Sequence, residues 1–180
     1  MATELKLPDG RRAIAWSVMP EDRAAIREGY EHLSPESRYH RFLTGVPHLT
    51  DQLLDHLVGE VDGVDHVALV LFVLSDDNEG VPTGIARVIR YPDDPTAADV
   101  AVTVAEEWRG QGVATTLLEE LMRQRPGGVT RLVTTLAADN PASLRMLERL
   151  GTTTVTHAGG GRLDVVVDLP PVDEPGPSGT

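Results

Sequence analysis

Apolar and polar residues follow one another along this chain in patterns that predict strands and helices. Residues 13–18 alternate as in a strand with one buried face, and the Val- and Leu-rich run at 66–74 predicts a strand buried on both faces. The same criteria predict further strands at residues 83–91, 99–105, 130–136, 153–157 and 162–168.

Helix starts are marked by residues that cap or begin helices. Pro20, followed by two acids, opens a first helix. Ser34 precedes Pro35 as the N-cap of a second helix, and Thr50 caps a third helix that ends at Gly59. Two later helices are predicted at residues 112–124 and 141–150. The resulting order, βααα-ββ-β-α-β-α-β-β, predicts an α/β (α+β) fold with a mixed central sheet of about six to seven strands flanked by helices.

Length and composition predict one domain. The 180 residues fit a single core, and the longest apolar run, residues 67–74, is far shorter than the ~18 residues that span a membrane. The chain does not begin with a basic and then apolar leader, so we expect a cytoplasmic protein without membrane partners. We expect the domain to cover residues 1–169, and residues 170–180, rich in Pro, Gly and acids, to form a disordered tail.

Charge and residue types exclude several functions. The formal net charge is -12, whereas nucleic-acid binding needs a basic face, so no nucleic-acid partner is expected. The chain has no cysteine, which excludes thiol nucleophiles and disulfides. The six histidines show no metal-ligand spacing, so no metal is predicted. An acidic surface is compatible with a cationic amine as partner.

A glycine-containing turn after the strand at 99–105 predicts a phosphate-binding site. Gly110 and Gly112 let the backbone approach a ligand, the following helix start presents free N–H groups, and Arg109 adds positive charge. A Walker loop is excluded, because Val113 follows Gly112 where that loop needs Lys. A dinucleotide fingerprint fits poorly, because Thr115 stands where its third glycine belongs.

Two motifs carry a resemblance to a known family. The run Arg109-Gly110-Gln111-Gly112-Val113-Ala114 resembles motif A of the GNAT superfamily of N-acetyltransferases, which holds the pyrophosphate of acetyl-CoA. The segment from Asn140 to Gly151 resembles motif B, in which an Asn opens a helix that ends at a Gly. The match covers about residues 82–167. It implies the GNAT fold, acetyl-CoA as co-substrate, and two strands that splay apart around the pantetheine arm.

The resemblance also implies roles for individual residues. Asp99 stands where lysine-acetylating relatives have a Glu in an Ala-Glu-hydrophobic-Ala pattern, and is the candidate general base. A backbone N–H within residues 102–104, where the family strand bulges, is expected to hold the oxyanion. Leu147 replaces the Tyr that protonates the thiolate in many relatives. The predicted cofactor-binding residues are Val102, Thr103, Val104, Arg109, Gly110, Gln111, Gly112, Val113, Ala114, Thr115, Asn140 and Ser143.

The function predicted is transfer of acetyl from acetyl-CoA to a primary amine by direct attack through a tetrahedral intermediate. Residues 32–42 are similar to the N-terminal helix of bacterial GNAT domains that acetylate protein lysines, so a protein lysine is the favoured acceptor. A small amine remains an alternative acceptor, and a non-catalytic acyl-CoA sensor remains an alternative function. Because family members often pair, a homodimer is also expected.

Overall fold

The computed structural model of the chain describes residues 2–42 and 48–171. Its strands are β1 (Ala2–Lys6), β2 (Arg12–Ser17), β3 (His66–Leu74), β4 (Gly80–Tyr91), β5 (Asp94–Val104), β6 (Arg131–Ala137), β7 (Thr152–Gly159) and β8 (Arg162–Asp168). Its α-helices are α1 (Arg23–Glu31), α2 (Pro35–Phe42), α3 (Asp51–Leu54), α4 (Val113–Arg123) and α5 (Pro141–Glu148). The expected disordered tail falls almost wholly outside the described residues.

The strands form one mixed sheet in the order β1-β2-β3-β4-β5-β6-β8-β7. All neighbouring strands run antiparallel except β5 and β6, which are parallel. The mixed sheet flanked by helices is as predicted, but it has eight strands rather than six to seven. The additional strand, β1, is an edge strand whose residues are exposed or half-buried. Its residues are too polar to give the alternation that marks a strand with a buried face.

Strand β5 begins at Asp94, earlier than the predicted start at Asp99. The sequence Tyr91-Pro92-Asp93-Asp94-Pro95 predicts a rigid turn. Tyr91 of β4 pairs with Asp94, however, so only Pro92 and Asp93 lie between the strands. Asp94 stabilises this start by accepting hydrogen bonds from the backbone and side chain of Thr96. Because Pro92 and Pro95 disfavour a strand at residues 92–98, the sequence did not predict that this part of β5 pairs with β4.

The helices cover both faces of the sheet. On one face α4 buries Leu117, Leu118 and Leu121 in the larger core cluster. On the other face the segments before β3 bury a second cluster, which includes Tyr30 and Leu54, against β3. No helix within the described ranges is both long and apolar enough to cross a membrane.

The predicted helix caps are confirmed. Ser34 Oγ accepts from the Ser37 backbone, and Thr50 Oγ1 accepts from the Leu53 backbone, each at 3.2 Å. The third helix continues beyond α3 as a wider π-helical turn that ends at Gly59, as expected. The first predicted helix begins as a short 3₁₀ turn, and α1 proper starts at Arg23.

Candidate active site

Strands β5 and β6 are paired over only two residues. Ala97 pairs with Arg131 and Ala98 with Leu132, and beyond these pairs the strands separate. The opening is a cleft of about 460 Å³, lined along β5 by Asp99 and Val102 and closed on other sides by α4, α5 and β6. The structure therefore contains the splayed pair of strands that the two motifs implied.

Asp99 lies where the two strands part, directly after the last residue of β5 that pairs with β6. Its side chain is half-buried and lines the cleft. A carboxylate at the closed end of a cleft is well placed to accept a proton from a group that enters it.

The backbone of β5 presents alternate residues to the cleft. The carbonyl of Val100 points towards β6, because it accepts a hydrogen bond from Thr134 Oγ1 at 3.5 Å. In a strand the N–H and C=O of one residue point to the same side, and successive residues alternate, so the backbones of Val102, which lines the cleft, and Val104 also face the β6 side of β5.

Thr103 has the opposite orientation. Its carbonyl lies against Gly84 of β4, and its side chain lines a different cavity. The expected bulge at residues 102–104 is also absent, since β5 pairs with β4 in unbroken register from Val104 to Ala98. The backbone N–H and C=O of Thr103 are used in this pairing with β4. Of the predicted residues 102–104, only Val102 and Val104 therefore direct an N–H towards the β6 side, where the cleft lies.

The glycine turn leaves several backbone N–H groups available. Gly110 and Gly112 have left-handed φ values of 71° and 83°, and Gly112 is the N-cap of α4. The N–H groups of Gly110, Gln111 and Gly112 donate to no acceptor among the described residues. The first N–H groups of α4 have no partner within the helix. This cluster of donors at a helix start favours an anion.

The hairpin of β1 and β2 packs against this turn. Arg11 donates to Gln111 Oε1 at 2.7 Å, and Gln111 Nε2 donates to the carbonyl of Glu107 at 2.6 Å. Pro8 lies so close to Gly112 that a Cβ there would meet its ring at 2.5 Å. Gly112 is thus required both by its backbone conformation and by this neighbour.

Helix α2 is anchored to the same turn from the other side. Glu106 accepts hydrogen bonds from the Ser34 backbone at 2.7 Å and the Ser37 hydroxyl at 3.1 Å, and these bonds lower the pKa of its carboxyl group. Arg109 donates a short hydrogen bond to Ser37 Oγ. The guanidinium of Arg109 therefore points towards α2, and a bound diphosphate would have to share this guanidinium with Ser37.

Comparisons with known proteins agree with this geometry. The sequence pattern of the acetyltransferase (GNAT) family matches residues 26–152. The chain belongs to the GNAT family of acetyltransferases.

Individual relatives extend the comparison. Acetyltransferase Pat of Mycolicibacterium smegmatis is 32% identical over 157 residues, 87% of this chain and 45% of that protein. The L-2,4-diaminobutyric acid acetyltransferase of Streptomyces coelicolor is 36% identical over 91 residues, 49% of this chain and 51% of that protein. The GNAT domain of S. lividans PAT superposes with a TM-score of 0.77 at 24% identity, over 93% of this chain and 97% of that one. The chain thus spans less than half of Pat.

In the present chain the motif B segment, residues 140–151, forms the wall of the cleft opposite β5. Asn140 caps α5, its Oδ1 accepting from the Ser143 backbone at 3.2 Å. Ser143 and the buried Leu147 line the cleft, so a leucine does occupy the face where many relatives have a tyrosine. Gly151 follows α5 because a Cβ there would overlap the carbonyl oxygen of Asp168 on β8.

A phenol nevertheless reaches the cleft from another element. Tyr91, at the end of β4, donates from its hydroxyl to the carbonyl of Val133 at 3.0 Å and lines the cleft beside Asp99. Burial, followed by the nearby Asp99 charge, raises the pKa of Tyr91. The sequence predicts Tyr91 at the junction of a strand and a turn, and the pairing of the strands brings it to the cleft.

Two arginines that the sequence analysis did not select also lie here. Arg41 of α2 lines the cleft and also a second cavity of about 430 Å³, on the face of the sheet covered by the segments before β3. Arg87 of β4 lines the second cavity. Burial lowers the pKa of both; the lowered value for Arg41, about 9, still leaves it charged at neutral pH. A charged residue within the apolar run of β4 was the available signal for Arg87.

His66, at the start of β3, is buried near Arg87, whose charge acts on it. Neither ring nitrogen has a hydrogen-bond partner among the described residues. Burial, reinforced by the charge of Arg87, lowers the pKa of His66 to about 4. Within the described part of the chain, no group of three or more His, Asp or Glu side chains is arranged to hold a metal ion.

Proposed function

We propose that this GNAT domain transfers an acetyl group from acetyl-CoA to a primary amine. The observation that carries the proposal is the β5–β6 cleft, which has a carboxylate, Asp99, where the strands part, while β5 leads into the donor-rich glycine turn. Five residue steps of strand separate Asp99 from Val104, or roughly 17 Å at ~3.3 Å per residue. One strand therefore connects an anion site to a proton acceptor.

The residues proposed to hold acetyl-CoA follow from these orientations. The pyrophosphate takes the N–H groups of the turn from Gly110 to Thr115, with Arg109 as a shared partner. The pantetheine arm pairs with the cleft-facing backbone of Val102 and Val104, as an extended ligand adds to an open strand edge. Ser143 contributes its hydroxyl from the opposite wall. We leave Thr103 out of this set because its backbone faces β4, and we leave out Asn140 because its side-chain amide oxygen, Oδ1, already caps α5.

The chemistry then requires one proton acceptor and one oxyanion donor. An alkylammonium with a pKa near ~10.4 must lose a proton before it attacks, and Asp99 takes that proton. The amine nitrogen forms a C–N bond to the acetyl carbon as the carbonyl π electrons move onto oxygen. The C–S bond then breaks as the carbonyl re-forms, and the proton that the nitrogen loses passes through water to the departing thiolate. The Val102 N–H, directed into the cleft, is the proposed donor to the oxyanion.

The acceptor is an amine of one of two classes. The likeness of residues 32–42 to lysine-acetylating domains supports a protein lysine, whereas the similarity to a diaminobutyric acid acetyltransferase supports a small amino compound. Because the reaction consumes acetyl-CoA, an intracellular metabolite, we propose that it takes place in the cytoplasm. Homodimer formation remains a prediction.

The test measures binding and turnover separately. Acetyl-CoA is titrated by calorimetry, and CoA release is followed with a thiol reagent, which reads only CoA because the chain has no cysteine. The acceptor panel contains lysine peptides, polyamines and amino acids. Binding together with amine-dependent thiol release is expected. Binding without release by any acceptor would identify a sensor, and an absence of binding would contradict the whole proposal.

A further inference from the structure

The second cavity is shaped for an apolar small molecule. Its volume of about 430 Å³ lies within the roughly 300–1,000 Å³ range of small-molecule sites. Most of its lining is apolar, including Ile26, Leu33, Leu57, Val70, Phe72 and Ile85. It meets the β5–β6 cleft at Arg41 and Ala101, which line both spaces.

Arg87 is the polar group of this cavity that lacks a partner. Its Nε and Nη1 atoms are buried and form no hydrogen bond, and no ion pair to its guanidinium occurs among the residues that the structure describes. Buried guanidinium groups are almost always paired, because an unpaired one loses its hydration without compensation. A carboxylate is the partner that best matches its fixed, planar donors.

The strand register sets the distance from Arg87 to the proposed base. Arg87 of β4 pairs with Ala101, and Asp99 lies two residues from Ala101 on the same face of β5. Arg87 and Asp99 are therefore diagonal neighbours, with backbones about 7–8 Å apart. The Asp99 charge also acts on Arg87, raising the pKa that burial lowers.

We propose that the acceptor is a free α-amino acid with an apolar side chain. Its carboxylate binds Arg87, its amine lies beside Asp99, and its side chain occupies the apolar cavity. An α-amino acid carries amine and carboxylate on one carbon, which matches two opposite charges on diagonal positions of one sheet face. A protein lysine offers no carboxylate to Arg87. This inference rests on the proposed acetyl transfer and specifies its acceptor.

The first test compares acceptors with and without the carboxylate. L-Phenylalanine and phenethylamine differ by that group alone, and thiol release with saturating acetyl-CoA gives kcat/KM for each. We expect L-phenylalanine to be preferred at least tenfold. Arg87→Met should lower kcat/KM for L-phenylalanine by roughly 10- to 100-fold, the value of a hydrogen bond to a charged group, and change phenethylamine less than twofold.

Controls separate binding from folding. An apolar replacement of a buried arginine is often tolerated, and unchanged acetyl-CoA affinity of Arg87→Met would confirm an intact domain. Arg12→Met replaces an arginine of β2 that lines neither cavity, and should leave both substrates unaffected. If Arg87→Met instead lost acetyl-CoA binding, Arg87→Lys, which keeps the charge, should restore it together with part of the L-phenylalanine preference.

The second test changes the size of the cavity. Gly29 of α1 lines the cavity three residues after Ile26, on the same helix face, and a Cβ there meets no atom within 4 Å. Gly29→Leu should therefore fold, and should shift preference at least tenfold from L-phenylalanine towards L-alanine. Gly29→Ala is the matched control and should keep the wild-type preference.

Three outcomes overturn the inference while leaving the proposed acetyl transfer intact. These are release with lysine peptides but no amino acid, equal use of L-phenylalanine and phenethylamine, or an Arg87→Met effect confined to a carboxylated donor such as succinyl-CoA. If none of the acceptors supports thiol release, the proposed function itself is contradicted.

Discussion

The guanidinium of Arg11 lies over the ring of Trp108, 4.9 Å from its centroid. The same guanidinium donates to Gln111, a hundred residues away in sequence. One side chain of the β1–β2 turn thus holds both sides of the glycine turn. The N-terminal hairpin is a support for the anion site rather than an appendage to the sheet.

Arg11→Ala should loosen the glycine turn. It removes a charged hydrogen bond to Gln111 and a cation–π contact with Trp108. We expect the acetyl-CoA Kd, measured by calorimetry, to rise about three- to tenfold. Arg12→Ala, at the adjacent exposed position, should change it less than twofold. Equal effects of the two substitutions would show that only net charge matters.

Gly112→Ala and Gly110→Ala form a matched pair. Both glycines have positive φ, so alanine costs about 1–2 kcal/mol at either position. Only at Gly112 would the new Cβ also meet Pro8, at 2.5 Å, whereas the Cβ at Gly110 meets nothing within 4 Å. Urea unfolding should therefore show a larger loss of stability for Gly112→Ala, and Pro8→Gly should recover part of the difference. Identical losses would contradict the contact with Pro8.

Asp99→Asn should separate chemistry from binding. The amide cannot accept the ammonium proton, so kcat should fall by about 10²-fold or more while the acetyl-CoA Kd stays within twofold. Without a base the rate should keep rising with pH, because it then follows the deprotonation of the free amine. Asp99→Glu should retain activity, since a longer carboxylate stands there in related enzymes. Full activity of Asp99→Asn would remove Asp99 from the mechanism.

His66 should make stability depend on pH. Its pKa is lowered from 6.5 to about 4 in the folded protein, chiefly by burial, so between these values the unfolded chain binds more protons. Stability is therefore lost as pH falls from about 6.5 towards 4, by up to about 3 kcal/mol. As the pH falls across this range, the urea midpoint of the wild type should fall relative to that of His66→Phe, which has no titrating group at this position. His56→Gln, at an exposed position, should follow the wild type, and parallel curves for His66→Phe would contradict the assignment.

The parts of this fold that sequence could predict are those encoded locally. Caps at Ser34, Thr50 and Asn140 depend on residues three apart, and the glycine turn lies directly between a strand and a helix. These features do not depend on what the rest of the chain does. The hydrophobic pattern was equally sufficient for β3, whose residues are buried or half-buried along its whole length.

The parts that sequence could not predict depend on pairing between distant segments. The orientation that removes Thr103 from the cleft follows from which side of β5 meets β4. The proximity of Arg87 to Asp99 follows from the register of the same pair of strands, and the support from Arg11 follows from a contact across the whole domain. Residue types indicate candidates for chemistry, but the register decides which of them act together.

The short pairing of β5 with β6 also bears on how long the protein survives. Two backbone pairs join one half of the sheet to the other, and the edges beyond them lack the hydrogen bonds of a continuous sheet. A pantetheine arm in the gap would supply bonds that the polypeptide does not, and would stabilise the native state by RT ln(1 + [L]/Kd). Proteolysis should then slow as acetyl-CoA rises, so that the supply of co-substrate sets the lifetime of the enzyme as well as its rate.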